Sequence, residues 1–187
     1  MKQTAAALAT AFLVAGGQVA QAQQQLVYTV VVPSGQFGSA NFLKELVRSL
    51  ATIQAFCGGL EDRSYRVDCM AERLQAVSGE IPEGTDYDEV RSVLAEASAK
   101  LETLARDNRD RSKGRINVSS AKAGGGATAR PLVAVDAAEL AAVNQQAEAI
   151  LDEARTVLLR SAGSRQRQSQ YTRIAQALDS SKVLLRS

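Results

Sequence analysis

The chain has 187 residues, of which 45% are hydrophobic and only 4% are aromatic, and its formal net charge at pH 7 is +2. A chain of this length suits one domain, and its core has to be built from Leu, Val, Ile and Ala, which favours closely packed helices over a sheet sandwich. There is no histidine, so the commonest general base and the commonest zinc ligand are both excluded.

Residues 1–22 have the parts of a secretory signal peptide. Lys2 precedes an apolar run from Ala5 to Ala15, and an A-x-A step ends at Ala22. A membrane anchor is the alternative, but the run is about half of the ~20 residues that a membrane span needs. We therefore expect cleavage after Ala22 and a soluble periplasmic or secreted protein that is not transmembrane once processed.

Residues 23–38 are predicted to form a short extended N-terminal arm. Its stretch LVYTVVVPSG, residues 26–35, is dense in β-branched residues and ends in a proline and a glycine turn. Only INV at 116–118 and LVAV at 132–135 have a similar character, and a lone strand is unstable. The arm therefore pairs with one of these, lies on the helices, stays loose, or pairs with another chain at an exposed edge.

The two cysteines, Cys57 and Cys69, are predicted to form a disulfide. Cys57 precedes the helix-stopping pair Gly58–Gly59, and Cys69 falls in the next helical pattern. Outside the cytosol such thiols usually oxidise, and the bond would staple two helices into a hairpin with a stabilisation of roughly 3 kcal/mol. A redox-active pair is the alternative, but it would normally be a C-x-x-C at a helix start.

Helical periodicity begins at Ser39 and gives five apolar stripes with coiled-coil-like heptad spacing. Three stripes fall in residues 39–110, the disulfide-stapled three-helix region, and two in residues 136–187. The fold class is therefore all-α, a bundle of about five helices. The stripe positions are Leu43, Leu46, Leu50, Ile53 and Cys57; Val67, Met70, Leu74, Val77 and Ile81; Tyr87, Val90, Leu94, Ala97, Leu101 and Leu104; Leu140, Val143, Ala147, Ile150, Ala154 and Val157; and Tyr171, Ile174, Leu178, Ser181 and Leu185.

Two connections need interpretation. Residues 111–135 hold few apolar residues and a Gly124–Gly126 run, which predicts a flexible linker and not a phosphate-binding loop, because the Gly-Lys-Ser/Thr ending is missing. In the C-terminal region, Gly163 and Ser164 predict a helix stop and a new cap. We favour a helical hairpin there over one long helix, which would need a second helix or chain beside it.

Few residues suggest chemistry. Asp86, Asp88 and Glu89 could bind calcium or act as an acid/base pair, but they lie in the first turn of a helix, where capping and the helix dipole explain them. We therefore predict no catalytic residue, no metal site and no cofactor.

The arginine-rich C-terminal segment is the candidate binding site. Arg165, Arg167 and Arg173 could clamp phosphates or carboxylates of an anionic partner, and Tyr171 could stack beside them. The alternative is that arginine is simply the preferred cation of the chain, since Arg outnumbers Lys sixteen to six. Export argues against nucleic acid as the partner.

The chain is therefore expected to be an exported, non-enzymatic interaction or scaffolding protein of the bacterial cell envelope. It would contact a protein partner or a second copy through its helix faces, or an anionic envelope component through its arginines. The alternative is a small-ligand carrier or enzyme with a carboxylate/arginine pocket between helices.

Overall fold

The computed structural model describes residues 40–119 and 126–186. The expected signal peptide at 1–22 and the arm at 23–38 lie outside the described residues. The fold prediction is confirmed: five helices of fifteen or more residues and one short last helix form an all-α bundle. The helices are α1 Ala40–Gly58, α2 Arg66–Glu80, α3 Asp88–Asp107, α4 Leu140–Arg160, α5 Arg165–Ser181 and α6 Val183–Arg186, and a 3-10 turn spans Arg63–Tyr65.

The five long helices form a closed ring around one core. Each packs against two others, in the order α1, α2, α3, α4, α5 and back to α1, while α6 closes one end against α1, α4 and α5. The core is a single aliphatic cluster with few aromatic rings, of which Phe42 and Tyr87 lie 4.3 Å apart between ring centroids. No helix in the described part of the chain has the length and hydropathy to cross a membrane.

The apolar stripes occupy the expected faces in four of the five helices, with only Leu104 half-buried among them. In α4 the structure differs from the prediction, because Val157 is 37% exposed whereas its neighbour Leu158 is fully buried. Leu151 is likewise buried in place of Ile150. Both positions have two consecutive apolar residues, so periodicity alone could not choose between them.

The predicted disulfide is present and joins the end of α1 to α2. Cys57 and Cys69 are both fully buried, and their Cα atoms lie 5.8 Å apart. The staple therefore belongs to the core and is closed to solvent.

The C-terminal region is a helical hairpin. Helix α4 ends at Arg160, and α5 begins at Arg165 after Ser164, whose Oγ accepts the backbone N–H of Arg167 at 3.2 Å. A serine in this position satisfies one of the free N–H groups at a helix start. The predicted cap thus separates two helices where one long helix was the alternative.

The connection from α3 to α4 differs from the predicted flexible linker. In its described parts, 111–119 and 126–135, it doubles back on itself, and Ile116 and Leu132 exchange both backbone hydrogen bonds. Residues 132–135 are buried, each at most 3% exposed. The apolar run LVAV is the reason, because burying it in the core stabilises an ordered connection.

Candidate functional site

The structure separates the four residues of the predicted arginine site into two exposed arginines without an ion pair, one partly exposed arginine that is already paired, and one buried tyrosine. Arg165 and Arg173 are exposed on α5, and neither forms an ion pair with any residue that the structure describes. Arg167 instead pairs with Asp86 at 2.5 Å. Tyr171 is 2% exposed and its hydroxyl donates to the backbone oxygen of Asp86 at 3.2 Å.

Tyr171 is therefore a core residue and cannot stack beside a bound partner. Burial raises the pKa of its hydroxyl, as expected for a phenol that loses contact with water. Arg167 and Tyr171 together hold α5 against the turn before α3. The stacking role predicted for Tyr171 is excluded because its ring fills the space between these elements.

The exposed arginines lie in a part of the chain without acids. From Arg155 to Arg173 there is no Asp or Glu, and the first turn of α5 contains no acidic residue. Arg165 and Arg173 are separated by about 12 Å along the helix axis. Arg165 also adds positive charge to the positive end of the helix dipole, an arrangement that disfavours the isolated helix. Arg165 and Arg173 are thus exposed on α5 without an ion pair among the described residues and can meet negative charge from another molecule.

A second polar cluster was not predicted. Asp68 and Glu72, the carboxylate clamp, lie one turn apart on α2 and are 0% and 4% exposed. Asp68 accepts two hydrogen bonds from the guanidinium of Arg130, at 2.7 and 2.8 Å, and a third from the backbone N–H of Val133 at 2.8 Å. The contact with Asp68 raises the pKa of Arg130.

Glu72 completes the carboxylate clamp. It accepts hydrogen bonds from the side chain of Arg73 at 2.6 Å and from the backbone N–H of Ala129 at 2.8 Å. Arg73 also donates to the backbone oxygen of Ala127 at 2.9 Å, and its guanidinium carbon lies 4.9 Å from the ring centroid of Phe56. Both carboxylates are therefore occupied by protein donors, and the clamp fastens the α3–α4 connection to α2.

An open groove of about 550 Å³ lies beside the 3-10 turn. Lys113 Nζ lies 2.6 Å from Asp62 Oδ2 and 3.2 Å from Ser64 Oγ in this groove. A serine activated by lysine needs a neutral amine, but the hydrogen bond to Asp62 raises the pKa of Lys113, and the contact with Lys113 lowers the pKa of Asp62 to about 2. Ser64 is also only 3% exposed. The trio fixes a turn and is not arranged for nucleophilic attack.

The acids considered for calcium serve protein contacts. Asp88 accepts the backbone N–H groups of Gly84 and Thr85, and Glu89 accepts the hydroxyl of Ser161 at 2.9 Å. Across residues 40–119 and 126–186, no three acidic or cysteine side chains gather as a metal ion would require. Asp88 therefore fixes the turn before α3, and Glu89 joins α3 to the α4–α5 hairpin.

Sequence reasoning missed the carboxylate clamp because its residues come from two distant segments. The available signal was the pair Asp68 and Glu72, four residues apart within the apolar pattern of α2, together with Arg130 beside the LVAV run. Comparison of the chain with protein families, curated proteins and solved structures found no match.

Proposed function

We propose that the protein is exported and acts, without enzymatic activity of its own, as an interaction or scaffolding protein of the bacterial cell envelope. The observation that carries the proposal is the use of polar groups inside the bundle: its buried acids pair with its own arginines and backbone amides. The polar groups that remain available to bind other molecules therefore lie on the surface.

The alternative of a ligand carrier or enzyme would be favoured by a deep pocket that brings acids and arginines together. These groups do meet, at the carboxylate clamp, but the backbone amides of Ala129 and Val133 take up the carboxylate oxygens there. The two larger grooves, beside the 3-10 turn and beside the end of α3, are open to solvent, and the core between the helices is filled by aliphatic side chains.

Export is supported by the signal-like first 22 residues and by the use of both cysteines in one structural bond. Disulfides of this kind persist in oxidising compartments. N-terminal sequencing of the protein recovered from the periplasm of an expressing bacterium is expected to begin at Gln23. A protein that stays in the cytoplasm with both thiols reduced would contradict the proposal.

The scaffolding role is tested by the mass of the complexes that the protein forms. We expect light scattering on the mature protein at increasing concentration to show self-association, or cross-linking in intact cells to trap the protein in a defined larger complex. A strict monomer that yields no cross-linked species in cells would overturn the role.

The exposed arginines of α5 are the proposed contact for an anionic envelope component. Each exposed arginine near an anionic surface contributes about 1 kcal/mol of binding. The double variant Arg165→Ala/Arg173→Ala should therefore bind anionic vesicles about thirtyfold more weakly than the native protein. Arg167→Ala is the matched control, because Asp86 already neutralises Arg167, and it should change binding much less. Equal weak binding by all three proteins would exclude this contact.

A further inference from the structure

The connection from α3 to α4 has two hydrogen-bonding edges, and only one of them is bonded to the rest of the described fold. We call its two described segments, 115–119 and 127–135, the ribbon. Ile116 exchanges two backbone bonds with Leu132, and Val118 receives the backbone N–H of Thr128 at 2.8 Å while donating its own N–H to the Thr128 hydroxyl at 3.1 Å. The even-numbered residues of the 115–119 segment thus point their backbone groups inward.

The inner edge of the ribbon is closed. Asp68 and Glu72 accept the backbone N–H groups of Val133 and Ala129, and the backbone oxygen of Ser64 accepts the N–H of Val135 at 2.9 Å. These bonds leave no row of unpaired backbone N–H groups on the side that faces α2, so no further strand can add to that edge.

The outer edge of the ribbon is open. Because backbone groups alternate in direction along an extended chain, the N–H and C=O of Asn117 point away from the inner segment. No other described residue hydrogen-bonds to these two groups. The side chains of Arg115, Asn117 and Ser119 are exposed as well. An open edge of this kind is a template for one more strand.

The sequence holds one segment suited to this edge. Residues 26–32, LVYTVVV, are uncharged and rich in β-branched residues, which favour strands. Such a segment is unstable by itself and gains most by adding to an existing edge.

The length of the chain limits where residues 26–32 can add. Phe56 contacts the guanidinium of Arg73, which donates to the backbone oxygen of Ala127 at the tip of the ribbon. Phe56 lies about 24 Å along α1 from Ala40. The eight Cα–Cα steps from Val32 to Ala40 span at most about 28 Å. Of the two ends of the open edge, the tip, where Ser119 pairs with Ala127, is therefore the one closer to the reach of an extended 32–40 segment. Arg115 lies four residues, about 13 Å, further along the ribbon.

We propose that residues 26–32 of the same chain add to the open edge at Arg115–Ser119 as a third, parallel strand, with Val32 next to Ser119. The backbone groups of Asn117 form its central hydrogen bonds. The reach from Ala40 sets the parallel direction, since an antiparallel strand would have to place Val32 at Arg115. The proposal does not depend on the envelope function proposed above.

Amide hydrogen exchange on the whole protein tests the strand directly. We expect the Asn117 amide to exchange about as slowly as the Ile116 amide, which is bonded to Leu132. Deletion of residues 26–32 should accelerate exchange at Asn117 by tenfold or more and leave Ile116 unchanged. An Asn117 amide that exchanges as an unprotected one in the intact protein, or equally fast in both proteins, would overturn the proposal.

Engineered disulfides test the direction and the origin of the strand. The pair Val32→Cys and Ser119→Cys should cross-link within a monomer, whereas Val32→Cys with Arg115→Cys should not, and the buried Cys57–Cys69 bond is protected from exchange. A cross-linked dimer, or protection of Asn117 that disappears on dilution, would mean that a second copy supplies the strand and would overturn the proposal for the same chain. Preferential cross-linking to Arg115 would overturn the parallel direction.

Discussion

Asp68 and Arg130 lie 62 residues apart in the chain and form an ion pair with two parallel hydrogen bonds. The carboxylate is completely buried, whereas the side chain of Arg130 is 27% exposed. The arginine therefore covers the carboxylate from the solvent side, and the pair joins α2 to the connection between α3 and α4.

Removal of Arg130 should destabilise the fold strongly. Arg130→Ala leaves the Asp68 carboxylate buried without its charge partner, and breaking a buried pair in this way costs about 3–5 kcal/mol. Urea unfolding followed by circular dichroism measures the loss. Arg173→Ala is the control, because an exposed substitution of this kind changes the free energy of unfolding by about 0.5 kcal/mol or less. Similar unfolding midpoints for the two variants would contradict the structural role of the pair.

The Asp62–Lys113 pair should make stability depend on pH in acid. Hydrogen bonds from Lys113 and, to a smaller extent, from Ser64 lower the pKa of Asp62 from 3.8 to about 2. The ionised carboxylate therefore stabilises the folded state above about pH 4, and this contribution is lost as the pH falls towards about 2. The two side chains are 45% and 37% exposed, so the contribution is under about 1 kcal/mol.

The measurement compares the thermal midpoints of the native protein and Asp62→Asn at neutral pH and near pH 2. We expect the variant to melt lower at neutral pH and the difference to close in acid. A difference of the same size at both pH values would show that the pair does not act through the charge of Asp62.

The disulfide should contribute about 3 kcal/mol and resist reduction in the folded state. Its loop is short, and the chain-entropy model gives this magnitude for about 13 residues. The variant Cys57→Ala/Cys69→Ala should lose this stability in urea unfolding at unchanged helical content. In the native protein the bond is fully buried, so dithiothreitol should reduce it only at the rate of unfolding. Rapid reduction without denaturant would contradict the buried position.

Two neighbouring glycines should respond to alanine in opposite directions. Gly84 has φ of 73°, a conformation in which a side chain costs about 1–2 kcal/mol, so Gly84→Ala should destabilise. Gly79 lies in the last turn of α2 with open space around its Cα. Gly79→Ala should therefore stabilise through higher helix propensity, by less than the roughly 0.5–1 kcal/mol of a helix interior. Thermal midpoints of the two variants should therefore lie on either side of the native value. Shifts in the same direction would contradict the backbone assignment.

The helices and the staple could be predicted because they depend on local patterns. Apolar spacing, the Gly58–Gly59 stop and the Ser164 cap each lie within a few residues of the feature that they determine. The hairpin at α4–α5 follows from the same local chemistry, since Ser164 satisfies the start of α5.

Contacts between distant segments could not be predicted from the sequence. The choice of Leu151 and Leu158 over their apolar neighbours depends on where α4 meets α3 and α5. The burial of Tyr171 and the pairing of Arg167 depend likewise on Asp86 in another element. The ordered α3–α4 connection depends on Asp68 and Glu72, whose partners lie more than fifty residues away.

The ring of helices is closed by its first and its fifth member, since α1 packs more extensively against α5 than against α2. While the chain folds, the leucines of α1 therefore stay incompletely buried until α5 packs against them. Until then the polypeptide exposes apolar surface, and exposed apolar surface makes a folding chain prone to aggregation. Loss of α5 would consequently leave the bundle open between α1 and α4 and the apolar face of α1 uncovered.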